Sequence, residues 1–123
     1  MHEQRRDVTT YRWDTIPEER LSEGLSRQFI TGDRAMLARF FLKQGTVVPP
    51  HSHDSEQITW IIKGALRFTI DGREILLTAG EVMHIPSNVV HAAFAVEDTE
   101  DIDVFCPPRQ DWLDQTDDYL RGR

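Results

Sequence analysis

Six stretches of the chain are apolar or alternate between apolar and polar: MLARFFLK (36–43), QITWIIK (57–63), ALRFTI (65–70), EILLT (74–78), VVHAAFAV (89–96) and DIDVFC (101–106). They are rich in β-branched, aromatic and aliphatic residues. Turn-forming residues separate them: Gly45, Gly64, Asp71-Gly72, Gly80 and Pro86-Ser87-Asn88. Such runs predict strands with one face on a core. Asp71-Gly72 predicts a tight hairpin, because both central positions of a two-residue turn want positive φ. Only the ends look helical. PEERLSEGL, from residue 17, predicts a helical turn, and RQDWLDQTDDYLR (109–121) predicts a short C-terminal helix. Many short strands at even spacing predict an all-β sandwich or small barrel.

Length and composition narrow the class. At 123 residues the chain is expected to form a single domain over 1–123, with 39% hydrophobic and 28% charged residues, an ordinary soluble balance. No apolar run reaches the roughly 18 residues of a membrane span, and the polar N-terminus lacks a signal-peptide core. The lone Cys106 forms no internal disulfide, so the cytoplasm is the expected compartment. Net charge is −7, with acidic residues crowded at 97–103 and at Asp111, Asp114, Asp117 and Asp118. Read as an acidic surface, this argues against nucleic-acid binding. The RFFL and TWII stretches carry apolar residues on both strand faces, which predicts a covered outer face and hence a homodimer.

The candidate chemistry centres on PPHSHDSEQITW, residues 49–60. If the chain stays extended, His51, His53 and Gln57 share one side, the convergence a metal ion needs. Glu56 has the opposite parity. The frame around them is Gly45, five residues, His51-x-His53, three residues, Gln57, six residues, Gly64; then Gly80, five residues, Pro86, four residues, His91. These two blocks resemble the paired motifs of the cupin superfamily. The resemblance covers about residues 36–106. It implies a jelly-roll (double-stranded β-helix) barrel and one divalent ion per chain, held by His51, His53, Gln57 and His91. Nickel, zinc, iron, manganese and copper all suit such donors. Gln57 departs from the family's commoner glutamate, Asn88 from a turn glycine and Ala95 from a frequent asparagine. A neutral amide leaves the ion its full charge, which favours an anionic ligand. His84 is expected to be a packing residue, and His2 belongs to a terminal tail.

The tail of the last predicted strand, DIDVFCPPRQDWL (101–113), places Asp103 and Phe105 on one face. Alternation alone leaves open whether that face is the core or solvent. With the first block, Asp-Val-Phe-x-Pro-x-Arg-x-Asp resembles the pectin degradation protein branch of small cupins. Those proteins open the ring of 4,5-unsaturated uronates to the linear keto-uronate. The resemblance implies a small anionic sugar-acid substrate, Asp103 as acid/base, Phe105 as a wall and Arg109 as a fork on the carboxylate. Two other readings use the same scaffold: a dioxygenase with a redox-active metal, and a binding-only cupin without catalysis.

Overall fold

The computed structural model describes residues 7–122, so His2 lies outside them. Among these residues are ten strands: β1 (Glu19–Ser22), β2 (Leu25–Thr31), β3 (Met36–Leu42), β4 (Val47–His51), β5 (Glu56–Lys63), β6 (Ala65–Ile70), β7 (Arg73–Thr78), β8 (Val82–Ile85), β9 (His91–Ala95) and β10 (Thr99–Cys106). All six expected stretches are strands. No described helix is long and apolar enough to cross a membrane.

The expected N-terminal helical turn is instead the β1–β2 hairpin, with Ser22 opposite Leu25. Leu21 and Leu25 are spaced as on a helix face, yet both reach the core from adjacent strands because the chain reverses between them. Gly24 sits at the reversal, where an added Cβ would collide with the Thr46 hydroxyl. The expected C-terminal helix is broken into one turn of α-helix, α1 (Gln110–Leu113), and a 3₁₀ turn at Asp118–Leu120. Gln115, at φ 58°, interrupts it.

The strands form two antiparallel sheets, one of six in the order β1-β2-β3-β10-β5-β8 and one of four in the order β4-β9-β6-β7. From β3 onward the chain passes repeatedly from one sheet to the other, leaving only the β6–β7 hairpin within one sheet. Its turn is Asp71-Gly72, at φ 51° and 75°, as the positive-φ requirement predicts. Gly64, at φ 95°, joins β5 to β6 where a side chain would strike the Asp98 carbonyl.

The core lies between the sheets. Met36, Ala38, Phe40 and Leu42 of β3 alternate inward, opposite Leu66, Phe68 and Ile70 of β6 and Ala93 and Ala95 of β9. One end of this layer is polar. There β10 turns Asp101 and Asp103 inward, 4% and 3% exposed, and β5 turns in Gln57 and Thr59. With Asp117, also fully buried, three members of the supposed acidic surface are therefore interior groups. Inner-face aspartates are costly to bury, and here they make one end of the core polar.

Candidate metal centre

The histidines converge by a different route from the extended chain that the spacing suggested. His51 ends β4 and His91 begins β9, and the two are direct cross-strand partners in the four-stranded sheet. His53 lies in the loop between β4 and β5, and Gln57 faces in from β5 of the other sheet. The site thus bridges both sheets. The loop is tied down by Asn88, whose N–H donates to the His53 carbonyl at 2.8 Å. Asn88 has φ 66°, so the residue that replaces a turn glycine adopts the glycine-like conformation.

Each imidazole commits Nδ1 to a backbone carbonyl: His51 to Pro49 at 2.8 Å, His53 to Ser55 at 2.9 Å and His91 to Val89 at 2.9 Å. A carbonyl only accepts, so Nδ1 carries the proton and Nε2 is left as a bare lone pair. One ligating nitrogen from each histidine lies within 4.8 Å of the others. His91 Nε2 is buried with no hydrogen-bond partner. His53 Nε2 faces Gln57 Oε1 at 3.2 Å, two acceptors turned toward one another. A cation between them would relieve that repulsion. Burial is the main force holding His51 down to about 3 and His53 to about 4, with the Arg109 charge adding to it; His91 is lowered for the same reason. All three are neutral at neutral pH, as ligation requires. The donor set fits a divalent ion.

Next to the imidazoles lies a carboxylate network. Thr59 Oγ1 donates to Asp103 Oδ1 at 2.6 Å, while Gln57 Nε2 donates to Thr59 Oγ1 at 2.9 Å and to Asp103 Oδ1 at 3.3 Å. Gln57 is thereby a two-ended bridge, its oxygen toward the histidines and its nitrogen toward Asp103. Burial pushes Asp103 up to about 6, against the hydrogen bonds from Thr59, Asp101 and Gln57 and the charge of Arg109. Phe105 is 2% exposed, its ring edge-on to His53 with centroids 5.6 Å apart.

Arg109 is buried. Its Nε and Nη2 fork onto Asp111 at 3.0 and 2.8 Å, and Nη2 also donates to the Tyr119 hydroxyl at 2.5 Å. The edge expected to grip a substrate carboxylate is occupied by an internal one. Tyr119 in turn stacks on His51, with centroids 4.5 Å apart. His84 is no packing residue: it is exposed on the outer face of β8 and pairs with Glu56 at 2.7 Å. That pair also confirms that Glu56 points away from the histidines.

His51, Gln57, His91, Asp101, Asp103, Phe105 and Arg109 border one cavity of about 60 Å³, roofed by Trp112, Tyr119 and Leu120 of the C-terminal segment. Asp101, Thr59, Asp111 and Tyr119 escaped the sequence reading. Asp101 shares the strand parity of Asp103, a usable signal, whereas nothing local marks Tyr119.

Comparison with known proteins places the chain. The cupin domain family matches residues 38–106. The pectin degradation protein KdgF of Dickeya dadantii (strain 3937) is 31% identical over 103 residues, covering 81% of this chain and 94% of that protein. The solved structure of KdgF from Halomonas sp. superposes with a TM-score of 0.79 at 27% identity, over 85% of this chain and 100% of that one. An RmlC-like cupin from Shewanella frigidimarina also reaches 0.79, at 25% identity over 89% of this chain and 99% of that one. On these matches, the two-sheet jelly roll and the histidine motif it carries, this chain belongs to the cupin family.

Proposed function

We propose that this protein is a metal-dependent cupin that opens the ring of a 4,5-unsaturated uronate to the linear keto-uronate. The observation that carries the reading is Gln57, whose oxygen faces His53 of the three-histidine cluster and whose nitrogen donates to the buried Asp103 carboxylate. The likeness to KdgF, named for pectin degradation, supplies the substrate class. His51, His53, His91 and Gln57 Oε1 would hold the ion, which when bound supplies positive charge for substrate oxygens.

Substrate and product are isomers, so the reaction is a relay of protons. The anomeric hydroxyl loses its proton, the bond from C1 to the ring oxygen breaks, and the C5 enol so released takes a proton at C4 to become the ketone. Asp103 is the group placed to move that proton. A carboxyl held near 6 suits both uptake and release close to neutrality. Phe105 walls the sugar ring, and the Arg109 cation offers local attraction to the uronate carboxylate in a protein of net charge −7. A cavity of about 60 Å³ is well below the roughly 300 Å³ of a small-molecule site. Admitting a sugar acid would therefore require the roof formed by Trp112, Tyr119 and Leu120 to move aside, and gripping its carboxylate would require Asp111 to yield the Arg109 fork. We also infer a homodimer, built on the exposed apolar face of β5 and β8.

The test is loss of the unsaturated chromophore on adding metal-loaded protein to an unsaturated uronate. Chelation should abolish turnover and added metal restore it. The variant carrying His51→Ala and His53→Ala should fold without loading metal. Asp103→Asn should load metal and keep KM but lose about 10²-fold in kcat. No turnover with any divalent ion would overturn the reading.

A further inference from the structure

Among the described residues Arg109 is the only lysine or arginine that borders the cavity. A guanidinium grips a carboxylate with two parallel hydrogen bonds along either of two edges: Nε with one terminal nitrogen, or both terminal nitrogens together. Asp111 takes the first edge, at 3.0 and 2.8 Å. The other proton of Nη2 goes to the Tyr119 hydroxyl, which spoils the second edge. Neither edge is left whole.

Together the two occupants carry the features of a uronate. Asp111 supplies a carboxylate. Tyr119 supplies a flat ring against His51, with centroids 4.5 Å and planes 29° apart. One nitrogen, Arg109 Nη2, holds both. An unsaturated uronate likewise joins a carboxylate to a ring flattened by its double bond.

The segment that carries them is free of strand pairing. Between 110 and 116 its backbone hydrogen bonds are local, such as Asp114 N–H to the Gln110 carbonyl at 2.9 Å and Thr116 N–H to that of Asp111 at 2.8 Å. No ladder breaks when it lifts. The Asp111 side chain is 30% exposed, so once released it passes into water, whereas Arg109 is 3% exposed and lies 5.2 Å from the Phe105 ring. Pulling Asp111 away without a replacement would leave a buried cation unpaired, which is costly; exchanging it for another carboxylate restores the pair.

We propose that the C-terminal segment is an autoinhibitory strap: Asp111 and Tyr119 hold the places that the carboxylate and ring of a uronate take, and the ligand enters by exchanging its carboxylate for that of Asp111. The proposal rests on the reading of the cavity as a uronate site. Asp117, paired with Arg27 at 2.7 Å, anchors the far end, so residues 110–116 lift while the Tyr119 side chain turns aside. The strap lowers apparent affinity by the fraction of molecules in which it is displaced.

Galacturonate, a saturated uronate, reads binding without turnover. Calorimetry on metal-loaded protein should find it bound about tenfold or more tightly by Asp111→Asn than by the parent, because a neutral amide is a weaker occupant of the fork. Asp114→Asn removes the same charge from the same segment, where Asp114 accepts from Gln110 at 3.0 Å. It should bind as the parent does; an equal gain there would reduce the effect to general charge repulsion and overturn the proposal. Weaker binding by Asp111→Asn would show that Asp111 braces Arg109 for the ligand, and would also overturn it. Hydrogen exchange on the parent needs no variant. Saturating galacturonate should speed exchange of the 110–116 amides several-fold, and slower exchange would mean that the segment closes over the ligand instead. Binding by neither parent nor variant would refute the strap as well. Ring opening by the parent with unchanged affinity in Asp111→Asn removes the strap and leaves the function standing. Tighter binding by Asp111→Asn without ring opening by the parent does the opposite.

Discussion

Gln57 shows how much one side chain can decide. The sequence suggested that an amide in place of glutamate leaves the ion its full charge. The structure adds a second reason: the amide nitrogen donates to Asp103, which a carboxylate cannot do. Gln57→Glu would set two carboxylates about 3 Å apart, and one must then take up a proton. The variant should therefore retain metal, since a carboxylate ligand adds Coulomb attraction, but lose about tenfold or more in kcat as Asp103 is pulled out of place. Metal analysis alongside kinetics would check both halves, and parental kcat in a fully loaded variant would refute the argument. At this scale the candidate ligands were readable because cupin motifs fix their spacing along the chain. The inward pair Asp101 and Asp103 was half-readable: alternation groups them with Phe105 but cannot say which face is inside. Asp111 closes the Arg-x-Asp motif, but its hold on the Arg109 fork was not readable, since the first turn of α1 brings it there.

The strands of the middle followed from alternation, and the elements that failed did so for stated reasons. β4 (Val47–His51) contains two prolines, and β8 (Val82–Ile85) is a short edge strand, so neither shows a strong apolar run. The C-terminal segment is the element with most bearing on function, because it roofs the cavity. It is held by Asp117, fully buried, which pairs with Arg27 at 2.7 Å and Arg121 at 3.0 Å. Arg27 is itself fully buried and lies 4.2 Å from the Trp112 ring. Asp117→Ala would strand that cation with only Glu19 beside it, at 3.1 Å. The expected loss is about 3 kcal/mol of stability. Burial opposes ionisation of Asp117, but Arg121 and Arg27 outweigh it and hold the carboxyl below its usual value. A depressed folded-state value stabilises at pH above the unfolded value of about 4 and is lost as pH falls through the folded one. Urea melts of parent and Asp117→Ala should thus differ most near neutrality and converge in acid. A difference that grows on acidification would show that the latch is not ionic.

The whole molecule keeps its chemistry inside and its apolar excess outside. Along β5, Gln57, Thr59 and Ile61 face the interior, while Ile58, Trp60 and Ile62 are 43%, 48% and 36% exposed. Val82 of β8, 59% exposed, pairs with Trp60, so the patch crosses onto the edge strand. Clustered apolar exposure of this kind marks an interaction surface. A second copy is the occupant we infer, since a face with an aromatic at its centre and aliphatics around it is complementary to itself under a two-fold axis. Trp60→Glu should then convert a dimer to a monomer in light scattering, because two facing charges would be buried without partners. The strand alternation adds a sharper expectation. Trp60 and Gln57 lie on opposite faces of β5, and the three histidines lie outside that strand, so the monomeric variant should still load metal through Gln57 and the histidines. A parent that is monomeric at micromolar concentration would remove the dimer, while loss of metal in Trp60→Glu would show that the outer face props up the inner one.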